Sequence, residues 1–220
     1  MDNPMKAALR VAACVLLAPL FAGAEESGPR HLIYLHGRIV QERQDPRPRH
    51  AEFGYYELEQ ILAAFRERGF VVSGGIRPKD ESPAVAADRV VGQVRGLVAS
   101  GVPARRITVV GASMGAWIAL LTATRLQDPA LSLCVIGACL SQSARQLQAE
   151  HGKEPVGRIL AIRERSDETS EPCPGWSADG RSQPTRVVRE IVLDTGLRHG
   201  FLYRPLPEWV APVVEWATQR

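Results

Sequence analysis

A serine flanked two residues away on each side by glycine, Gly111-Ala112-Ser113-Met114-Gly115, constrains this 220-residue chain more than any other feature. It follows Arg106-Ile107-Thr108-Val109-Val110, a β-branched run that reads as a buried strand. It precedes Ala116-Trp117-Ile118-Ala119-Leu120-Leu121, which reads as the start of a buried helix. A serine on so sharp a strand-to-helix turn needs small residues two places away, because backbone and neighbouring elements pass close there. The turn lifts the hydroxyl above the sheet and aims the first helical N–H groups at whatever binds it. Those are the conditions for presenting a serine nucleophile. A tight turn that merely contains serine would share the five letters, so the partner residues decide.

The first partner is His199, in Thr195-Gly196-Leu197-Arg198-His199-Gly200-Phe201-Leu202. It lies just after Glu190-Ile191-Val192-Leu193, another buried-strand pattern, and before a closing helix. A serine hydroxyl is a poor nucleophile until a base takes its proton, and histidine is poised to do so near neutral pH. A lone loop histidine would ordinarily be solvated surface. Here the order serine, acid, histidine along the chain belongs to one hydrolase architecture. His31, His50 and His151 follow no late strand.

The acid is expected between them. Val156-Gly157-Arg158-Ile159-Leu160-Ala161-Ile162 reads as the intervening strand and Arg163-Glu164-Arg165-Ser166-Asp167-Glu168 as the loop after it. A carboxylate there would fix the imidazole tautomer and stabilise the imidazolium formed during attack. Asp167, a short carboxylate a few residues past the strand end, is the choice. Glu164 and Glu168 remain rivals, since an acidic loop beside two arginines also describes a solvated ion-pair cluster. Asp194 ends a strand too, but it is only five residues before His199 and reads as a turn cap.

The apolar run His31-Leu32-Ile33-Tyr34-Leu35-His36-Gly37-Arg38 ends in His-Gly, as does a strand whose following loop donates an oxyanion-hole N–H. Two preorganised donors serve the anion of a tetrahedral intermediate, and removing one costs roughly 3–4 kcal/mol of barrier. They are assigned to the backbone N–H groups of Met114 and Arg38. His36 is then a brace for the loop rather than a reacting group.

With these four segments in place the chain resembles the α/β-hydrolase superfamily from about His31 onward. More narrowly, it resembles a group of small secreted bacterial α/β-hydrolases. Tyr34 to Val40, Phe53-Gly54-Tyr55-Tyr56-Glu57, Ile76-Arg77-Pro78-Lys79, and Thr195 to Trp209 carry that likeness. The resemblance implies Ser113, Asp167 and His199 as a hydrolytic triad. It implies no substrate, because this fold hosts many chemistries and some non-catalytic proteins.

Expected strands near 31–36, 69–74, 106–110, 131–138, 157–163 and 187–193 alternate with expected helices near 55–68, 84–100, 114–127, 142–150 and 207–218. Such alternation predicts an α/β class, a doubly wound, mostly parallel sheet of about six strands with helices on both faces. It reads as a minimal version of the fold that has lost its first strands and has no lid domain. Residues 38–53 read as one long connection rich in arginine, and long connections at strand ends often contact ligands. Arg77 and Lys79, after the second strand, are expected at the same rim. Arg77 is the candidate for binding an acidic or carboxylate-bearing substrate, against the alternative of a solvated basic loop. Trp176 and Tyr203 are either pocket walls or packing.

The N-terminus predicts export. Lys6 and Arg10 give a basic start, Val11 to Phe21 is apolar, and Ala22-Gly23-Ala24 forms a cleavage signal. Residues 1–24 are therefore expected to be a signal peptide, too short for a membrane span, and 25–220 a single domain in the bacterial periplasm. Cleavage removes Lys6, Arg10 and Asp2, lowering the net charge from +3 to +2. That balance, with no basic helix face carrying interleaved aromatics, argues against nucleic acid. The expected partner is a small acyl substrate, with no cofactor and no metal. Oligomeric state is not legible. In an oxidising compartment three cysteines remain, Cys134, Cys139 and Cys173. Cys134 and Cys139, five residues apart in one expected strand, would stand about 16 Å from each other, too far to pair. A Cys139–Cys173 disulfide is therefore expected to pin the acid loop, the alternative being two buried thiols. The reading as a whole is a serine hydrolase of the carboxylesterase or thioesterase type. A non-catalytic binding protein or a peptidase of the same fold are the alternatives.

Overall fold

Runs of β-branched and aliphatic residues become the strands of one parallel sheet, whose central strands are buried on both faces. The computed structural model describes residues 28–138, 153–170 and 186–219. Its strands are β1 (Arg30–Leu35), β4 (Phe70–Ser73), β5 (Ile107–Ala112), β6 (Ser132–Ile136), β7 (Gly157–Glu164) and β8 (Arg186–Leu193). They lie in the order β4-β1-β5-β6-β7-β8, and every neighbouring pair is parallel. Every residue of β5 and β6 is buried, as the centre of a doubly covered sheet requires.

Period-two alternation along these strands feeds two separate cores. Leu32 and Tyr34, Val110 and Ala112, and Cys134 and Ile136 face one side. There they meet α2 (Leu58–Arg66) and the closing helix α5 (Pro207–Thr218), through Ile61, Phe65, Trp209 and Val213. Ile33 and Leu35, Ile107 and Val109, and Leu133 and Val135 face the other. That side is covered by α3 (Pro83–Ala99) and α4 (Met114–Leu126), through Val90, Val94, Ile118 and Ala119. Cys134 is a buried free thiol in mid-strand.

Within the described residues the strand and helix expectations match the observed elements to within a few residues, with one local correction. Residues 38–53 are not a single connection: they hold a helix, α1 (Arg38–Arg43), and the first strand, β2 (Arg49–His50), of a hairpin completed by β3 (Gly54–Tyr55). Six residues preceded by glycine carry no side-chain cap, so nothing local announces α1. Tertiary contacts hold it. Val40 is buried, and the Gln41 amide donates to the carbonyl oxygens of Pro78, Lys79 and Glu81 at 2.8, 3.2 and 2.8 Å. The expected leader at 1–24, the helix near 142–150, Trp176 and the Cys139–Cys173 pair lie outside the described residues.

Candidate active site

The central strand β5 runs straight into α4 with a single residue, Ser113, between them. Its φ of 53° and ψ of −118° are a conformation that side chains rarely adopt, and it turns the hydroxyl out above the sheet. The flanking glycines are demanded by contact. A Cβ on Gly111 would come within 2.2 Å of the Gly115 carbonyl oxygen, and one on Gly115 within 1.9 Å of the Leu35 carbonyl oxygen. The first keeps the turn tight, and the second lets α4 lie directly on β1. The strained serine is also held by its own amide, which donates to Ile136 of β6 at 2.8 Å.

His199 reaches the same point from beyond β8. It sits in a short 3-10 helix, Arg198–Tyr203, whose first residue, Arg198, and the nearby Gly196 both have positive φ. Its Nε2 lies 3.0 Å from Ser113 Oγ, and its Nδ1 lies 2.6 Å from Asp167 Oδ2. The structure thus joins the three expected side chains in one line. With the Asp167 carboxylate on Nδ1, the ring proton is held there, leaving Nε2 to accept from the serine hydroxyl. Burial alone would raise the Asp167 carboxyl. The hydrogen bonds from His199 and Thr169 outweigh it and hold the group below the ordinary carboxylate range.

Of the rival acids, Glu168 is exposed and has no such contact. Glu164 is buried completely and used otherwise: it accepts from the amide and hydroxyl of Thr195, the amide of Gly196, and the amide and hydroxyl of Ser166. Asp194 does not cap the turn by any described side-chain bond; it is exposed and pairs with Arg165 at 3.2 Å. Thr169 escaped the sequence reading. Its amide and hydroxyl both donate to Asp167 Oδ1, at 3.0 and 2.7 Å. The Asp-x-Thr spacing was the available signal, since aspartate commonly bonds the backbone two residues on.

Met114 opens α4 and Arg38 opens α1, so both amides stand in a first helical turn, where N–H groups have no partner within the helix. Both residues line the cleft beside Ser113, and Gly37 approaches the serine closely enough that a Cβ there would lie 3.6 Å from its Cβ. His36 is fully buried: its Nε2 accepts from the Arg77 amide at 3.1 Å, so Nδ1 carries the proton and donates to the Gly37 carbonyl at 2.8 Å. Burial chiefly, with Arg77 nearby, pushes its pKa down to about 4. It braces the loop, as expected.

Arg77 corrects the sequence reading. It is 2% exposed and does not line the cleft. Its guanidinium turns inward, donating to the His36 carbonyl at 2.7 Å and to Gln41 Oε1 at 3.2 Å. Sequence could place it after β4 but not say which way it points, and the buried carbonyl left at the end of β1 claims it. Burial lowers its pKa to about 10.

The cleft itself measures about 970 Å³. Phe53, Trp117, Leu202 and Tyr203 give it apolar walls. No group of three or more metal-ligating side chains occurs among the described residues.

No protein-family model matches the sequence, and no curated protein matches it. Solved structures do. A protein of unknown function from Agrobacterium tumefaciens, assigned to the α/β-hydrolases, superposes with a TM-score of 0.56 at 16% identity, covering 87% of this chain and 85% of that one. A hyperthermophilic esterase from the archaeon Pyrobaculum calidifontis gives 0.51 at 18%, covering 87% and 76%. A type II thioesterase of yersiniabactin biosynthesis gives 0.51 at 13%, covering 88% and 94%. The fold is that of the α/β-hydrolases.

Proposed function

We propose that the protein is a serine hydrolase that cleaves an ester or thioester through an acyl-enzyme on Ser113. One observation carries the reading: the unbroken chain from Asp167 through His199 to Ser113, at 2.6 and 3.0 Å, ending on a serine held at positive φ. In the proposed reaction His199 Nε2 takes the hydroxyl proton as Ser113 Oγ attacks the carbonyl carbon. Asp167 stabilises the resulting imidazolium through Nδ1–H. The amides of Met114 and Arg38 receive the oxyanion. The imidazolium then returns the proton to the leaving oxygen or sulfur, and the acyl-enzyme remains. Water, deprotonated by His199, attacks the acyl carbonyl carbon; the imidazolium then returns that proton to Ser113 Oγ as its bond to the acyl carbon breaks and the carboxylic acid leaves. Residues 1–24 as an export signal place this chemistry in the periplasm, where a Cys139–Cys173 bridge would restrain the chain beyond the acid loop.

Labelling by a fluorophosphonate probe tests the mechanism. Wild type is expected to be labelled and Ser113→Ala not. Correctly folded wild type that resists labelling would instead favour a non-catalytic binding protein on the same fold. Processing of the exported chain after Ala24, read by mass spectrometry of periplasmic protein, tests the leader.

A further inference from the structure

The cleft that holds Ser113 is not electrically neutral. Arg38, Arg43 and Arg49 line it, and Glu42 is the one acidic residue among the described residues that do so. No side-chain hydrogen bond or ion pair ties any of these three arginines to another described residue. Other described arginines contrast with them. Arg47, from the same connection, pairs with Glu57 at 2.9 Å and lies over the Tyr55 ring. Arg198, beside the histidine, pairs with Glu52, and Arg89, Arg125 and Arg163 pair with Glu81, Asp88 and Glu190. Of the remaining described arginine side chains, only Arg95 and Arg204 share the untied condition.

Guanidinium groups stay charged at any pH the protein meets, and each presents a donor fork that matches a carboxylate bidentately. All three are exposed residues, so solvent screens them in part, but beside the apolar walls of a cleft they attract anions more strongly than on open surface. Arg38 and Arg43 open and close α1, so their Cα atoms are about 7.5 Å apart along its axis. Arg38 also follows Gly37, where a Cβ would lie 3.6 Å from that of Ser113, so this end of α1 is the one near the serine. Arg43, at the other end of α1, lines the cleft one helix length further along.

We propose that the cleft selects esters carrying a carboxylate, with the chain of the substrate along Phe53, Trp117 and Leu202 and its anionic end held by Arg43 and Arg49. The hydrolytic step rests on the serine-hydrolase reading above; the anion preference rests on the arginines alone. It is tested with para-nitrophenyl hexanoate and the mono-para-nitrophenyl ester of adipic acid, whose acyl chains match in length and differ in the terminal carboxylate. In wild type the adipate ester is expected to exceed the hexanoate ester about tenfold in kcat/KM, the ratio falling toward one in an Arg43→Ala/Arg49→Ala double variant. Arg43→Lys/Arg49→Lys should keep part of the preference, and added salt should reduce it. A wild-type ratio at or below one, or a ratio unmoved by the double alanine variant, overturns the proposal.

Binding of the same two esters to Ser113→Ala protein, followed by calorimetry, reads the preference without turnover. If neither ester is cleaved and fluorophosphonate does not label Ser113, the hydrolase reading fails and this comparison alone decides. Tighter binding of the adipate ester, lost with the arginines, supports the anion site; equal affinities overturn it.

Discussion

Glu164 and Thr195 clasp the two loops from which Asp167 and His199 project. The Glu164 carboxylate takes the Thr195 amide at 2.9 Å and the Thr195 hydroxyl at 2.8 Å. The same carboxylate takes the Gly196 amide at 3.3 Å and, from its own loop, the amide and hydroxyl of Ser166 at 3.3 and 3.0 Å. Ser166 Oγ in turn accepts from the Arg198 amide at 3.2 Å. Asp167 follows Glu164 by three residues, and His199 follows Gly196 by three. The 2.6 Å contact between them is therefore framed by a buried carboxylate that touches neither. Burial raises the Glu164 carboxyl, but the donors from Thr195 and Ser166 outweigh it and hold the group below its ordinary range.

Glu164→Gln puts an amide where every partner is a donor, so at least one N–H of the clasp loses its acceptor. A cost of about 1–3 kcal/mol in stability is expected. Loosening of the loops should lower kcat more than it raises KM, because the histidine and acid drift while the cleft walls stay. Chemical denaturation and steady-state kinetics on the same preparation check both. A variant as stable and active as wild type would show that the clasp does not position the pair.

Thr169 acts one bond closer. Its amide and hydroxyl occupy Asp167 Oδ1, leaving Oδ2 for His199. Thr169→Val keeps the amide bond and the shape but deletes the hydroxyl, which lies 3.0 Å from His199 Nδ1 as well as 2.7 Å from Asp167 Oδ1. The loss of one hydrogen bond to a charged group is expected to lower kcat about tenfold, while Thr169→Ser restores most of it. Equal rates for the valine variant and wild type would reduce Thr169 to packing.

Motif, chain order and periodicity made the sheet, its helices and the line of Ser113, Asp167 and His199 legible, because each depends on short-range pattern. The strand β5 and helix α4 meet at a glycine-framed serine that only one local geometry satisfies. What stayed hidden depends on contacts far apart in sequence. Arg77 points inward because the His36 carbonyl, 41 residues earlier, needs a donor. Helix α1 exists because Gln41 reaches the carbonyls of Pro78, Lys79 and Glu81, not because its six residues favour helix. Glu164 looked like a rival acid because sequence shows its distance from the strand end but not the five donors that enclose it. The arginines of the same segment divide between Arg47, tied to Glu57, and Arg43 and Arg49, which line the cleft, and no spacing rule separates them.

His36 makes stability depend on pH in a defined window. Its pKa is about 4 in the folded protein against an ordinary value of 6.5, so between those values the unfolded chain binds a proton that the folded one does not. Above pH 6.5 neither state is protonated at this site and its full contribution to stability is present. As pH falls toward 4 that contribution is lost, by about 3 kcal/mol over the window. Asp167 and Glu164, held below their ordinary values, withdraw their own contributions only at lower pH, as the carboxyls protonate. Unfolding free energies of wild type and His36→Gln at intervals of pH should show the slope in wild type and its reduction in the variant. Parallel curves would mean that His36 takes up its proton without unfolding.

The two glycines nearest Ser113 on either side of the cleft should respond in opposite ways to a methyl group. At Gly115 a Cβ would lie 1.9 Å from the Leu35 carbonyl oxygen and 3.0 Å from that of His36, both backbone atoms of the strand end on which α4 rests. Neither can yield without moving β1 away from the sheet centre, where Leu35 pairs with Gly111. Gly115→Ala is therefore expected to cost about 3 kcal/mol or more and to abolish fluorophosphonate labelling by displacing the serine turn. At Gly37 the backbone has φ −68° and ψ 172°, which any residue adopts, and the nearest atom to a new Cβ is that of Ser113 at 3.6 Å, an ordinary contact. Gly37→Ala should keep the fold within about 0.5 kcal/mol of wild type while placing a methyl against the serine side chain, so that labelling slows without loss of structure. Thermal unfolding and labelling rates measured on both variants separate the two effects. Similar stability losses at the two positions would mean that α4 does not depend on its close approach to β1, and that the second glycine of the motif has another cause.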